Sequence, residues 1–224
     1  MFGDNPIRKP LNNDGNLLEV KSVFPTLQGE GPFTGVPSVF IRLGGCNLAC
    51  NFCDTEFEEY TPMALSELMQ QVHEKSAVEG KRVRSLVVIT GGEPLRQNIA
   101  PLCEALLADD YMVQIETNGT LYRALPPEVD IVCSPKNTGQ GYFPIREDLL
   151  PYISAFKFIV STHRADYKHV AEIGQTAHAI PVYVQPMDEY DDTKNAENVA
   201  YALKLASAQG YYLSLQTHKI LGIE

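Results

Sequence analysis

Leu86-Val87-Val88-Ile89-Thr90-Gly91-Gly92-Glu93-Pro94 is an apolar, β-branched run that ends in a turn of glycine and proline. Such a run suits a short strand buried on both faces, as in a parallel sheet. Similar runs occupy residues 38–43, 112–117, 129–134, 156–161, 182–185 and 212–216. Helical periods lie between several of them. Leu65, Leu68, Met69 and Val72 share one face after Thr61-Pro62, with Gly80 as a stop signal. Ile99, Leu102, Leu106 and Leu107 repeat that spacing, and residues 195–208 form a third, Ala-rich period. Strands alternating with helices predict a parallel sheet in an α/β fold. The exits are polar: Gly45-Cys46-Asn47, the Thr90–Pro94 turn, Glu116-Thr117-Asn118-Gly119, Ser134-Pro135-Lys136, Gln185-Pro186-Met187-Asp188 and Gln216-Thr217-His218-Lys219. Parallel α/β barrels gather their catalytic residues at the C-terminal ends of strands. We therefore expect a partial TIM-like (β/α) barrel of about six parallel strands, with its chemistry on the face where those exits converge.

The rest of the composition narrows the function class. The 224 residues fit one domain and are 44% hydrophobic, enough for a sizeable core. A polar stretch rich in Asn and Asp reads as an N-terminal extension over residues 1–22, before a single domain at 23–224. A formal charge of −10 gives no footprint for nucleic acid, whose binding is dominated by phosphate contacts, and favours a small substrate. The N-terminus has no signal-peptide core, and no run approaches membrane-spanning length. Five cysteines, three of them within eight residues, suit metal ligation in a reducing cytoplasm better than a disulfide framework. Cys103 and Cys133 lie in apolar patterns and read as small buried hydrophobes.

The clustered cysteines are Cys46, Cys50 and Cys53, a C-x-x-x-C-x-x-C array. A cubane iron–sulfur cluster ordinarily takes four thiolates, and a structural zinc site takes four ligands. Three thiolates hold a four-iron cluster while leaving one iron open to a non-protein ligand. A zinc site that borrows a distant fourth ligand is the structural alternative. The open position of the cluster reading favours reactivity over a purely structural metal.

With Phe52 before the last cysteine, the array resembles that of the radical S-adenosylmethionine (SAM) enzymes. The resemblance implies a [4Fe-4S] cluster whose free iron binds the amino and carboxylate groups of SAM. Reductive cleavage of SAM then yields a 5′-deoxyadenosyl radical, the cofactors carrying the hard chemistry. It also implies that Gly91, Gly92 and Glu93 bind the SAM amino group. Glu116 and Asn118 would serve its ribose or methionine parts, against the plainer reading of a strand-end turn, where Asn-Gly is frequent.

Within that superfamily the chain resembles the 7-carboxy-7-deazaguanine synthases of queuosine biosynthesis, from about Val23 to the C-terminus. The similarity rests on Thr26-Leu27-Gln28-Gly29-Glu30-Gly31, Cys53-Asp54-Thr55, Ile115-Glu116-Thr117-Asn118-Gly119, Ser134-Pro135-Lys136, Val184-Gln185-Pro186-Met187-Asp188 and Leu215-Gln216-Thr217-His218-Lys219. It implies a lyase that contracts the ring of 6-carboxy-5,6,7,8-tetrahydropterin to 7-carboxy-7-deazaguanine with loss of ammonia, regenerating SAM. Magnesium beside Thr55 is implied, reasonable for a hard cation that needs few protein ligands. Leu27, Gln28, Gly29 and Glu30 would contact the pterin, and Arg42 its carboxylate, the bidentate geometry guanidinium favours. Thr90 and His218 would complete the substrate wall, with the C-terminal carboxylate at Glu224 reaching it too. Phe52, Asp54, Ser134, Pro135, Lys136, Gln185, Pro186, Met187 and Asp188 would surround SAM. A homodimer and an electron donor such as a flavodoxin are further implications of the resemblance. The competing readings are an activase that installs a glycyl radical in a partner protein and, from another class, a non-catalytic iron–sulfur carrier or zinc module. The first needs an open, partner-facing site; the second needs no Gly91–Pro94 turn.

Overall fold

The apolar runs become strands and the periodic segments helices in a computed structural model that describes residues 5–53, 55–137 and 139–223. The chain groups into two units. The first comprises residues up to Gln28, Val36–Thr117 and Leu121–Ile131. The second comprises Gly29–Gly35, Asn118–Thr120 and the chain from Val132 onward.

In the first unit the elements are β1 (Leu17–Leu27), β2 (Pro37–Leu43), β3 (Thr61–Ala64), α1 (Leu65–Ser76), β4 (Ala77–Val78), β5 (Lys81–Arg82), β6 (Leu86–Gly91), α2 (Ala100–Ala108), β7 (Met112–Thr117) and the start of β8 (Asp130–Cys133). Their order in the sheet is β3-β1-β2-β6-β7-β8. Parallel pairing joins β2 to β6 and β6 to β7, whereas β1 is antiparallel to both β2 and β3. Side chains alternate along each strand, so the register divides the sheet into two unlike faces. One face carries Val39, Ile41, Leu43, Val87, Ile89, Val113 and Ile115, all buried. It is the hydrophobic core: α1 packs on β1 and β2, α2 packs on β7, and they contribute Leu68, Val72, Leu102 and Leu106. Each such side chain contributes about 1.5–3 kcal/mol through burial. The other face carries Phe40 and Arg42, Val88 and Thr90, and Gln114 and Glu116. Polar groups at alternate positions distinguish this second face from the core.

Local rules set the boundaries. The first N–H of α1 has no side-chain cap and instead reaches the Asn16 carbonyl at 2.9 Å. The helix ends four residues before the Gly80 stop signal, because Glu79 and Gly80 both take positive φ (50° and 76°) and fold β4 back on β5. Residues 17–22, read from sequence as the end of an extension, form the first half of β1. There Leu18 and Val20 alternate into the core while Glu19 and Lys21 stay half-exposed.

In the second unit β8 continues beside β9 (Ile153–Val160), followed by β10 (Val182–Pro186), α3 (Asp192–Gln209), β11 (Tyr212–Leu213) and α4 (Thr217–Leu221). Pairing of β9 with β10 and of β10 with β11 is parallel. Asp191 caps α3 by accepting from the Lys194 N–H at 3.0 Å, and Gly210 at φ 72° ends it. Buried Asn198 fastens α3 to two strand exits, accepting from the Thr162 N–H at 2.9 Å and donating to the Met187 carbonyl at 3.0 Å. The expected strand at 212–216 is shorter than its apolar pattern suggests. Beyond Leu213, the Ser214 hydroxyl is committed to the Gly31 N–H and the Gln185 side chain, and the chain turns into α4. The α/β class with parallel strands is as expected, three strands in each unit entering parallel pairs. Among the described residues, no helix is long and apolar enough to cross a membrane.

Candidate functional site

The cysteine array begins where β2 ends. Gly44 donates its N–H to the Glu19 carbonyl at 2.8 Å, and Gly45 donates to the Phe57 carbonyl at 3.1 Å. Phe57 is buried, so the loop that carries the cysteines is pinned at its base. Cys46, Cys50 and Cys53 are half-buried and free of disulfides. A turn joins the last two, the Cys53 N–H donating to the Cys50 carbonyl at 3.1 Å. Burial, reinforced by the Glu93 carboxylate and then by the other two cysteines, pushes the Cys46 thiol up to about 12. A metal ion that binds it must displace that proton. Among the described residues no three His, Cys, Asp or Glu side chains lie close enough to hold a metal ion. The donor chemistry of the loop, three thiols within eight residues, nevertheless fits a cluster with three cysteine ligands. Asp54 lies outside the described residues. Phe52 and Thr55 are half-buried on the loop, and the Thr55 carbonyl accepts from the Cys53 thiol at 3.4 Å.

The exit of β6 is seated on this base. Gly92 donates to the Leu43 carbonyl and Glu93 to the Gly45 carbonyl, each at 3.0 Å. A Cβ on Gly92 would lie 2.0 Å from the Gly45 oxygen, and one on Gly91 (φ 114°) would lie 2.3 Å from the Leu43 oxygen. Both glycines are therefore needed where two strand exits touch backbone to backbone. Glu93 is fully buried; its Oε1 accepts from the Leu95 N–H at 3.0 Å and from the Thr117 hydroxyl at 2.7 Å. The ends of β2, β6 and β7 are thus tied together by one carboxylate and two backbone hydrogen bonds.

Behind that edge the polar sheet face assembles residues the sequence had assigned to different ligands. Arg42 and Thr90 are register partners. Arg42 sets its guanidinium over the Phe24 ring, 5.3 Å from the centroid, and enters no salt bridge among the described residues. Leu27, the last residue of β1, pairs with Pro37. Gln28 is buried and donates its Nε2 to Glu116 Oε1 at 3.1 Å. Gln114, which the sequence reading passed over, donates to the same oxygen at 3.1 Å, and its own Oε1 is buried without a hydrogen-bond partner. Its signal was an amide at an alternate position of an otherwise apolar strand.

The second unit holds its own polar set. A Cβ on Gly29 would meet His218 Nδ1 at 2.2 Å, and the Gly29 carbonyl accepts from the Thr217 N–H at 3.0 Å, so these two segments are in direct contact. Glu30 forms an ion pair with Lys157 and accepts from Gln216 Nε2 at 2.9 Å. Burial would raise the Glu30 carboxyl, but the Lys157 ammonium overrides it and holds the group below the usual carboxylate range. Lys157, buried in β9, was another omission; a lysine inside an apolar strand was the sign of it. Asn118 turns its Oδ1 onto Thr120, accepting from the N–H at 2.9 Å and the hydroxyl at 2.6 Å. Ser134 accepts from Lys136 at 2.7 Å, next to buried Pro135. Gln185 accepts from Ser214 at 2.9 Å; Pro186 and Met187 are buried beyond it. Asp188 is bound on both oxygens, by Asn195 and the Tyr190 N–H on one and Lys219 on the other, each at 2.9 Å. Burial opposes ionisation there, and these donors outweigh it to lower the group. Glu224 lies outside the described residues.

Residues 40–134 match the model of the radical SAM superfamily. A 7-carboxy-7-deazaguanine synthase from Rickettsia prowazekii (strain Madrid E) is 58% identical over 225 residues, covering 100% of this chain and 96% of that protein. One from Rhodospirillum rubrum is 43% identical, with 100% of both chains covered. Among solved structures, QueE from Escherichia coli superposes with a TM-score of 0.73 at 25% identity, covering 89% of this chain and 93% of that one.

Proposed function

The chain belongs to the 7-carboxy-7-deazaguanine synthase family of radical SAM enzymes, and we propose on that premise that it converts 6-carboxy-5,6,7,8-tetrahydropterin to 7-carboxy-7-deazaguanine with loss of ammonia. The observation that carries this reading is the seating of the three-thiol loop on the Gly91-Gly92-Glu93 turn, which brings a buried carboxylate up against Cys46. Cys46, Cys50 and Cys53 would hold the cluster. The bound cluster and SAM supply one thing, the 5′-deoxyadenosyl radical that opens the reaction.

The remaining work falls to the side chains. Buried Glu93, with Gly91 and Gly92 fixing its turn, favours the ammonium of SAM beside Cys46, since a carboxylate shielded from water attracts a cation strongly. In the first unit, Arg42 grips the substrate carboxylate next to Thr90; it is available for this because no described carboxylate pairs with it. Gln28 and Glu116, already bonded to each other, present an amide and a carboxylate to the donors and acceptors of the pterin ring, with the Leu27 backbone alongside. On the reading from family resemblance, Glu116 and Phe52 also border SAM, and Thr55 and Asp54 stand beside the magnesium ion and SAM. In the second unit, Gly29, Glu30 and His218 are assigned to substrate, as is the carboxylate of Glu224. Asn118, Ser134, Pro135, Lys136, Gln185, Pro186, Met187 and Asp188 are assigned to SAM. The Lys157 and Gln216 contacts make Glu30 a fixed charge rather than a proton carrier, and those of Asp188 do the same. A homodimer, a flavodoxin-like electron donor, a cytoplasmic setting and a product destined for tRNA modification belong to the same proposal.

Anaerobic turnover of reconstituted enzyme with 6-carboxytetrahydropterin, SAM, magnesium and a reductant tests it. A product with the mass of 7-carboxy-7-deazaguanine, without matching accumulation of 5′-deoxyadenosine, is the expected outcome. Cleavage of SAM with the pterin untouched would leave the radical chemistry standing and the substrate wrong.

A further inference from the structure

The segment Asn5-Pro6-Ile7-Arg8-Lys9-Pro10-Leu11-Asn12 has no role in the sequence reading, yet it lies along the cysteine loop. Prolines at 6 and 10 bias it away from helix towards extended backbone. Ile7 forms a parallel bridge with Cys46, and the Arg8 N–H donates to the Cys46 carbonyl at 2.7 Å. At the far end of the loop the Arg8 guanidinium binds Glu58 Oε2 through Nε at 3.0 Å and Nη2 at 2.5 Å. Buried Arg96 joins the segment to the loop base, donating to the Lys9 carbonyl at 3.2 Å and to the Gly44 carbonyl at 3.0 Å. Its own carbonyl accepts from the Leu11 N–H at 2.7 Å. Asn5 then reaches the ligand region itself. Its Nδ2 lies 3.2 Å from the Thr55 carbonyl and 3.8 Å from the Cys53 sulfur, a reasonable length for a bond to sulfur.

We propose that residues 5–12 form a strap that completes the cysteine loop, and that Asn5 is a positioning residue that sets the reduction potential of the bound cluster through its N–H to the Cys53 sulfur. As a thiol, Cys53 spends its proton on the Thr55 carbonyl. As a thiolate ligand it has no proton and can only accept, so the Asn5 amide becomes a charge-assisted donor to it. Hydrogen bonds to cluster sulfurs are among the factors that set cluster potentials. They favour the reduced, more negative form, the form that must hand an electron to SAM. The inference rests on the assignment of the three cysteines as cluster ligands.

The test uses the full chain, reconstituted anaerobically with iron and sulfide, and reads iron per chain and the cluster midpoint potential. Asn5→Leu keeps the bulk and removes the donor; Asn5→Gln keeps a donor. In Asn5→Leu we expect parental iron content and about a tenfold lower ratio of reduced to oxidised cluster at fixed poise, or about 59 mV for one electron. Asn5→Gln should recover part of it. An unmoved midpoint in Asn5→Leu overturns the role of Asn5, as does an equal drop in both variants, which would trace the effect to packing. Arg8→Ala tests the strap: iron should pass to a chelator several-fold faster, and loss at the parental rate overturns it. Absence of iron from the parent protein would sink the cysteine assignment, and this inference with it.

Discussion

Replacing Gly92 by alanine probes the joint between the cysteine loop and the β6 exit. The added Cβ would lie 2.0 Å from the Gly45 oxygen, 2.4 Å from the Gly45 carbonyl carbon and 3.1 Å from the Cys46 nitrogen. The first approach falls about 1.4 Å short of the 3.4 Å at which ordinary contact begins. All three atoms are backbone, so no side chain can swing aside. The two strand exits must part, which breaks the hydrogen bonds from Gly92 to Leu43 and from Glu93 to Gly45, both 3.0 Å long. Overpacking costs about 1–3 kcal/mol, and each hydrogen bond about 1 kcal/mol. The sum, about 3–5 kcal/mol, corresponds to a drop in Tm of roughly 6–20 °C for a chain of this size. Thermal unfolding of the metal-free protein by circular dichroism measures it, and iron per chain after reconstitution should fall with it. Gly80→Ala is the control, since that Cβ meets nothing within 4 Å and only the positive φ of 76° resists it. That costs about 1–2 kcal/mol. A Gly92→Ala protein no less stable than the control, and fully loaded with iron, would refute the joint.

Cys50→Ala should abolish cluster reconstitution and turnover while leaving the fold of the metal-free chain unchanged by circular dichroism; near-normal activity would rule out the radical mechanism. Glu30→Gln should flatten the acid limb of stability. Lys157 holds the Glu30 carboxyl below its ordinary value, so the stabilisation it gives is present above pH about 4.3 and drains away as pH falls toward the folded-state value. If parent and variant show the same midpoint of acid unfolding, the pair is not the acid-sensitive element. Gln114→Leu removes one of the two amides on Glu116 together with a buried oxygen that has no partner. We expect stability within about 1–2 kcal/mol of the parent, because one hydrogen bond is lost while an unsatisfied group is relieved. KM for the pterin should rise, and an unchanged KM would remove Gln114 from the support of Glu116.

Patterns that repeat were legible in the sequence, and those that depend on distant partners were not. The seven apolar runs read as strands all appear as strands, and Leu68, Val72, Leu102 and Leu106 lie buried where the helical period put them. Period and hydrophobicity are local properties, so the chain displays them directly. The opening of β1 was missed because only Leu18 and Val20 carry its alternation, between Glu19 and Lys21, in a segment dominated by Asn and Asp. Its strand character comes from pairing with β2 and β3, which no short window contains.

The two glycines show how a motif can be legible while its physics is not. The family resemblance gave Gly91 and Gly92 to a ligand. The structure fills the space beside each with Leu43 and Gly45 backbone, a reason that exists before any ligand arrives. The two readings are compatible in a specific way. By requiring glycine on itself, the chain fixes the β6 exit against the cysteine loop and keeps Glu93 buried beside Cys46. Burial first, and then repulsion from the Glu93 carboxylate, disfavour the Cys46 thiolate, so the metal-free protein keeps a neutral thiol there. A cation that binds both would relieve that repulsion. Ligand binding at this joint should therefore be coupled to deprotonation of Cys46.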